Sequence, residues 1–346
     1  MHEILKQNQE LCEVFTRKEE YSPKQLDKYN RFAYAFSDYR NVFEPNVSKF
    51  LIENGLKVEY PENKRFAVCL THDVDEIYPP LHHTILSSIY CVKNFNFNKL
   101  KDQLFWKNKG NEFSPYRNFK EIMDLEEKYN AKSSFYFLAT DKDIRRFRYD
   151  IEDLENELGS IVDRGWEVGL HGGYYAYNDL EEMKKEKERL EKVLGKEVIG
   201  YRNHYLRFKV PDTWELLSKV GFKYDTTFGY NDMVGFRNGM CHPFKPFNLN
   251  NNREIDILEM PLIIMDGALF GSAESFEEAW DTTKRLIDTV EIYNGIITLL
   301  WHSNNFNCAF RNNWIIFYEK ILKYCYEKNA WMTSGEEIWR WWRDGY

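Results

Sequence analysis

Two carboxylates one residue apart, Asp73 and Asp75, follow the short apolar run Phe66-Ala67-Val68-Cys69-Leu70 and the residues Thr71 and His72. The run has the length and character of a buried strand. In extended backbone, residues i and i+2 face the same side, so both carboxylates would look into one site. Carboxylates are costly to bury unpaired, and a metal ion, a cation or water must stabilise them there. One of the pair can then bind a metal while the other takes a proton. Taken alone, the same spacing also describes two capping aspartates before a loop. Three further apolar runs end in the same kind of chemistry. Trp166-Glu167-Val168-Gly169-Leu170 ends in His171, and Val198-Ile199-Gly200-Tyr201 ends in Arg202, with His204 two residues on. Ile296-Ile297-Thr298-Leu299-Leu300-Trp301 ends in His302. Four strands delivering Asp, His, Arg and His at their C-terminal ends describe the active-site face of a parallel barrel.

The order of these motifs resembles the polysaccharide deacetylases, the NodB-homology or carbohydrate esterase family 4 group, over roughly residues 64 to 335. That family's first motif is Thr-Phe-Asp-Asp-Gly; here Thr71-His72-Asp73-Val74-Asp75 stands in its place, with the second carboxylate displaced by one residue. The resemblance implies Asp73 as general base and Asp75 as metal ligand. The family's second motif, His-Ser/Thr-x-x-His, corresponds to His171-Gly172-Gly173-Tyr174-Tyr175, so His171 matches the first ligand and Tyr175 replaces the second. Arg202 matches the arginine of the third motif, and His302 the general acid of the fifth. Asp225 is the candidate member of the fourth.

Metal-assisted amide or ester hydrolysis needs a Lewis acid, an activated water, a base, and an acid for the leaving group. Asp75 and His171 supply two ligands, and catalytic zinc sites usually have a third. Neutral Tyr175 is a poor ligand; His204, two residues past Arg202, is the candidate replacement, with water as a further option. A substrate or structural hydrogen bond is the other reading of His204. Arg202 would keep Asp73 ionised, and His302 would protonate the leaving amine. Tyr175, Asp225, Arg237, Asp266 and Trp301 are the candidate substrate contacts. The expected cofactor is a divalent metal: zinc, with cobalt or nickel as alternatives. The function this supports is removal of an acetyl group from an N-acetylated sugar or glycan intermediate. The alternatives are a carbohydrate-binding protein that has lost catalysis, as Tyr175 suggests, and a hydrolase of another non-peptide C–N bond.

The elements that would hold these residues alternate strand and helix through most of the 346 residues. Helices are expected at 119–129, 151–164, 180–194, 214–220 and 276–293, and strands at 133–138, 222–225, 255–264 and 330–332. Thr333-Ser334-Gly335-Glu336 has a capping pattern for a final helix. This order predicts an α/β fold with parallel strands; with seven or eight candidate strands, the family resemblance implies a distorted (β/α) barrel of mostly parallel strands. Residues 1–60 read as a helical N-terminal extension, and 61–346 as the barrel domain. Residues 76–115 form a long insertion that leaves from the site's end of the first strand and reads as a lid. Within it, His82-His83 reads as a solvated pair or as metal ligands. Net charge is −8 with no basic stripe, which argues against nucleic acid as the main partner. The six cysteines are scattered without a Cys-x-x-Cys pair and read as reduced thiols. The N-terminus lacks a signal-peptide core and no stretch suits a membrane span, so a cytoplasmic location is expected. Oligomeric state is not legible.

Overall fold

The computed structural model describes residues 1–141 and 148–345, except for the side chain of Asn312. The chain folds into a curled sheet of β1 (Ala67–Val74), β2 (Ser134–Leu138), β3 (Glu167–Gly172), β4 (Gly200–Asn203) and β5 (Tyr224–Asp225). A separate antiparallel hairpin joins β6 (Phe247–Asn248) to β7 (Arg253–Glu254). The main sheet continues with β8 (Leu258–Glu259), β9 (Leu262–Met265), β10 (Ile296–Leu300) and β11 (Trp331–Thr333). Its order is β8-β5-β4-β3-β2-β1-β10-β9, with β11 also paired to β1. All of these pairings are parallel. This is the distorted barrel that the candidate strands and the family resemblance led one to expect.

Parallel neighbours need crossovers, and helices supply them. Helices α1 (His2–Leu5), α2 (Gln9–Thr16) and α3 (Asn46–Glu53) precede β1. Helices α4 (Leu81–Lys93), α5 (Phe97–Phe105) and α6 (Phe119–Glu127) lie between β1 and β2. The helices α7 (Glu155–Asp163), α8 (Leu180–Leu194) and α9 (Asp212–Val220) follow β2, β3 and β4 in turn. Then come α10 (Asp266–Ser272) and α11 (Phe276–Ile292) after β9, α12 (Asn312–Glu327) after β10, and α13 (Gly335–Arg343) after β11. The ends follow local chemistry. Asp179 accepts from the N–H groups of Glu181 and Glu182 to start α8, and Gly195 ends it at φ +75°. At α13 the capping pattern is realised one residue later than expected: Ser334 accepts from the N–H of Glu337 at 3.3 Å.

The period of two in a strand sorts β1 into two faces. Val68, Leu70 and Val74 join the large outer core under the helices, with Phe135, Phe137, Val168 and Leu170. Ala67 and Cys69 face the lumen with Tyr136, Tyr224, Met260 and Ile338 of α13, which plugs the barrel floor. Two strand glycines make room for the lumen rings. A Cβ on Gly169 would lie 2.5 Å from the Tyr136 ring, and one on Gly200 would collide with the Tyr224 hydroxyl. The same alternation turns Asp73 inward and His72 outward. His72 is fully buried against α6, where its Nε2 meets Glu126 at 2.8 Å.

The strand expected over 255–264 is divided. Pro261 offers no ladder N–H, and on either side of it lie the two edge strands, β8 and β9. Successive in the chain but unpaired with each other, they mark a seam where the barrel does not close. Residues 1–60 hold three short α-helices and two single 3-10 turns separated by irregular chain, less helix than expected of a helical extension. Asp27, for example, accepts from the N–H groups of Tyr29 and Arg31, a local pattern that competes with helix. Phe15, Val47 and Leu51 of this arm enter the main core. The 76–115 insertion forms the helical pair α4 and α5. The six cysteines are all unpaired. Among the described residues, no helix is long and apolar enough to cross a membrane.

Candidate active site

The strand ends bring Asp73, Asp75, His171, His204 and His302 to one cavity of about 390 Å³ at the C-terminal mouth of the barrel. Asp73 and Asp75 arrive from β1. His171, the penultimate residue of β3, gives its Nδ1–H to the carbonyl of Arg202 at 3.0 Å. That orients the ring so that Nε2 faces Asp75, 3.1 Å away. His204 begins the tight turn after β4, and its Nε2 lies 3.5 Å from the same carboxylate oxygen. Tyr205 and Leu206 hold that turn at φ +63° and +52°, an uncommon conformation for residues with side chains. Arg31 of the N-terminal arm donates to the Tyr205 carbonyl at 2.8 Å and clamps it. Asp27 holds the same guanidinium through Nε at 2.8 Å.

One ligand atom each from Asp75, His171 and His204 all fall within 4.8 Å of one another. The donor set suits a catalytic divalent metal: one carboxylate, two imidazoles, and room for a water or substrate oxygen. Protonation agrees with it. Burial would raise the Asp75 carboxyl, but His204, His171 and His302 outweigh it and hold the group below the ordinary carboxylate range. Burial lowers His204 to about 3, leaving a neutral imidazole.

Around this cluster stand the proton-transfer candidates. Asp73 is buried, 3.6 Å from Nε2 of His171, and its Oδ1 has no hydrogen-bond partner. Arg202 lies 4.0 Å from that oxygen and donates to Thr71 at 2.7 Å and Thr226 at 3.1 Å. Its role toward Asp73 is therefore charge at a distance rather than a direct hydrogen bond. The Nδ1–H of His302 donates to Asp266 at 2.7 Å, and Nε2 comes within 3.8 Å of Asp75. Burial disfavours the imidazolium, yet Asp266 outweighs it and raises His302 to about 10.

The expected substrate contacts are placed otherwise. Asp266 lies behind His302, also accepting from the His302 N–H and from Asn305. Tyr175 is half-exposed and packs edge-on against Tyr174, outside the cavity wall. Asp225 is buried in the wall of the sheet with Thr227 and Glu259, the two carboxyls raised chiefly by burial. Arg237 is buried in an ion pair with Glu20 of the arm. Trp301 is buried among Phe270, Trp314, Phe317 and Tyr318. It points outward because it neighbours His302, which points in. The cavity instead gains Arg31, Glu76, Arg148, Tyr205 and Asn231. Glu76 is raised to about 7, by burial first and then by Asp75. Its position beside Asp75 was the one signal in the sequence; Arg31 and Asn231 had none. His82 and His83 also line the cavity, with His83 bonded to the Tyr116 hydroxyl at 2.7 Å rather than to the Asp75 cluster.

No protein-family model matches the chain, and no curated protein matches its sequence. Solved structures do match its fold. A Mycobacterium smegmatis protein described as a polysaccharide deacetylase superposes with a TM-score of 0.55 at 18% identity, covering 83% of this chain and 93% of its own. The PuuE allantoinase gives 0.53 at 15% identity, over 93% of this chain and 98% of its own. A Parabacteroides distasonis protein described as a glycoside hydrolase/deacetylase gives 0.51 at 13%, over 82% and 72%. At these identities the likeness is one of fold: the chain has the distorted (β/α) barrel architecture seen in polysaccharide deacetylases.

Proposed function

We propose that the chain is a metal-dependent hydrolase that removes an acetyl group from the amide nitrogen of an N-acetylated sugar. The observation that carries this reading is the convergence of Asp75, His171 and His204 beside Asp73 and His302. Asp75, His171 and His204 would hold the ion, with zinc first and cobalt or nickel as alternatives. A bound divalent ion supplies Lewis acidity for the amide carbonyl and lowers the pKa of water. Asp73, whose Oδ1 accepts no hydrogen bond, takes the proton from the attacking water. Arg202 sets its positive charge 4.0 Å from that oxygen. His302, protonated through Asp266, gives the Nε2 proton to the departing amine nitrogen. The base and the acid are thus different groups, held by different strands.

Hydrolysis of a cyclic amide is the second reading, supported by the extent of the match to the allantoinase fold. Metal content and a substrate panel test both. The purified chain is expected to carry one divalent ion, found by elemental analysis, and to release acetate from N-acetylated sugars. His204→Ala and Asp75→Ala are expected to lose the ion, and activity by more than the roughly 10–100-fold that losing an outer-shell partner costs. Metal retained at full occupancy in His204→Ala would move the third ligand elsewhere. No metal in the parent chain, even after adding zinc, cobalt or nickel, would replace the hydrolase with a glycan-binding protein. Cleavage of cyclic amides alone would select the second reading.

A further inference from the structure

The helical pair in the 76–115 insertion has its faces reversed. Leu81, Ile85, Ile89 and Val92 recur at helical spacing along α4, so they share one face, and that face is exposed. The residues α4 buries are Ser87 and Cys91. At the turn into α5, Phe95 is 80% and Phe97 60% exposed. A helix packed on a protein core hides its large apolar residues and shows its small polar ones. A contiguous exposed apolar surface of this kind marks a contact site.

Charge indicates the contact. Residues 81–113 carry Lys93, Lys99, Lys101, Lys107 and Lys109 against Asp102 and Glu112. Asp102 pairs with Lys109 at 3.2 Å. The segment is net +3 in a chain whose total is −8. Exposed phenylalanines flanked by lysines, on amphipathic helices too short to span a bilayer, match the chemistry of an interfacial element. The complementary partner is a surface of negative headgroups over an apolar layer. The first turn of α4 also supplies His82 and His83 to the wall of the active-site cavity, so the apolar face and the cavity share a helix.

We propose that the α4–α5 hairpin docks on the surface of an anionic lipid bilayer, with Phe95 and Phe97 entering the headgroup layer and the lysines meeting the phosphates. Combined with the hydrolase reading, on which this last step rests, docking brings the cavity toward the headgroups, and the substrate class becomes a glycan carried on a lipid.

Vesicle flotation of the full chain tests the docking without metal or sugar, so its outcome is independent of the hydrolase reading. The chain is expected to float with vesicles of phosphatidylcholine mixed with phosphatidylglycerol, and less with phosphatidylcholine alone. Added salt should weaken the binding. The exposed-site variant Ile89→Ser/Phe95→Ser/Phe97→Ser is expected to bind about tenfold less or weaker still, with an unchanged circular dichroism spectrum and melting curve. Lys93→Glu/Lys101→Glu is expected to remove the preference for phosphatidylglycerol. Absence of binding by the parent chain, or equal binding by the serine variant, overturns the proposal. A parent dimer in light scattering that the serine variant turns to monomer, with no vesicle binding by either, would assign the face to a second copy of the chain instead.

Discussion

His302 stands between two carboxylates and takes its protonation from the one behind it. Asp266 accepts the Nδ1–H at 2.7 Å and is itself fixed by Asn305 and the His302 N–H. Replacing Asp266 with Asn removes the charge but keeps the shape. Burial is then opposed only by the charges of Asp75 and Asp73. The midpoint of His302 in metal-free protein, followed by NMR titration, is expected to fall from about 10 toward its ordinary value of 6.5. Activity at neutral pH should fall with it, since the acid would start deprotonated. A midpoint that stays near 10 would detach Asp266 from this role. Residues of this kind were only partly legible. The period of two set Asp73 and Asp75 on one side of the chain, and both line the cavity with His302. The same parity, applied one residue back, would have turned Trp301 away. Asp266 announced a carboxylate at a strand end, but whether it faces substrate or a neighbouring histidine depends on the separation of β9 and β10, which no local pattern carries.

Among the elements, the N-terminal arm binds the barrel through a buried charge cluster. Glu20 lies between Arg17 and Arg237, at 2.7 Å from Nε of the first and 3.0 Å from Nε of the second. Burial pushes the Glu20 carboxyl up, but the two guanidinium groups outweigh it and hold it below the ordinary 4.5. A depressed carboxylate contributes stability above its unfolded pKa and loses it as pH falls through the folded value. The arm's hold is therefore full at neutral pH and weakens below about pH 4.5. Glu20→Ala leaves buried Arg237 without its Glu20 partner, while Arg17 keeps Glu19, and is expected to cost about 3–5 kcal/mol at pH 7 in denaturant titrations. A loss under about 1 kcal/mol would mean that the cluster behaves like a surface pair. Glu20 and Arg237 are 217 residues apart, so no local pattern in the sequence joins them. The arm's aromatic rings were legible as packing groups; its irregular path, set by Asp27 and its neighbours, was not. The strands and helices of the barrel were legible because continuous apolar runs alternate with amphipathic segments. The two-residue strands β5 and β8 are too short to show a period.

For the molecule as a whole, the seam between β8 and β9 gives the barrel wall an uneven grip. The ladders of β1 with β10 and of β2 with β3 run over five residue pairs each, whereas β4 with β5 and β5 with β8 have two each. Amides at the thin end open with little loss of structure, and those of the thick ladders open only with most of the sheet. Native-state hydrogen exchange is expected to place β1, β2, β3 and β10 among the slowest amides and β5 and β8 among the fastest of the sheet. Protection of β8 equal to that of β1 would contradict this. Asp75, His171 and His302 all hang from the slow strands, and His204 follows β4, beside them. The wall can then breathe like a cuff with one loose button, widening on the β8 side for a bulky substrate or product, while the carboxylate and imidazoles keep their spacing on the tight side.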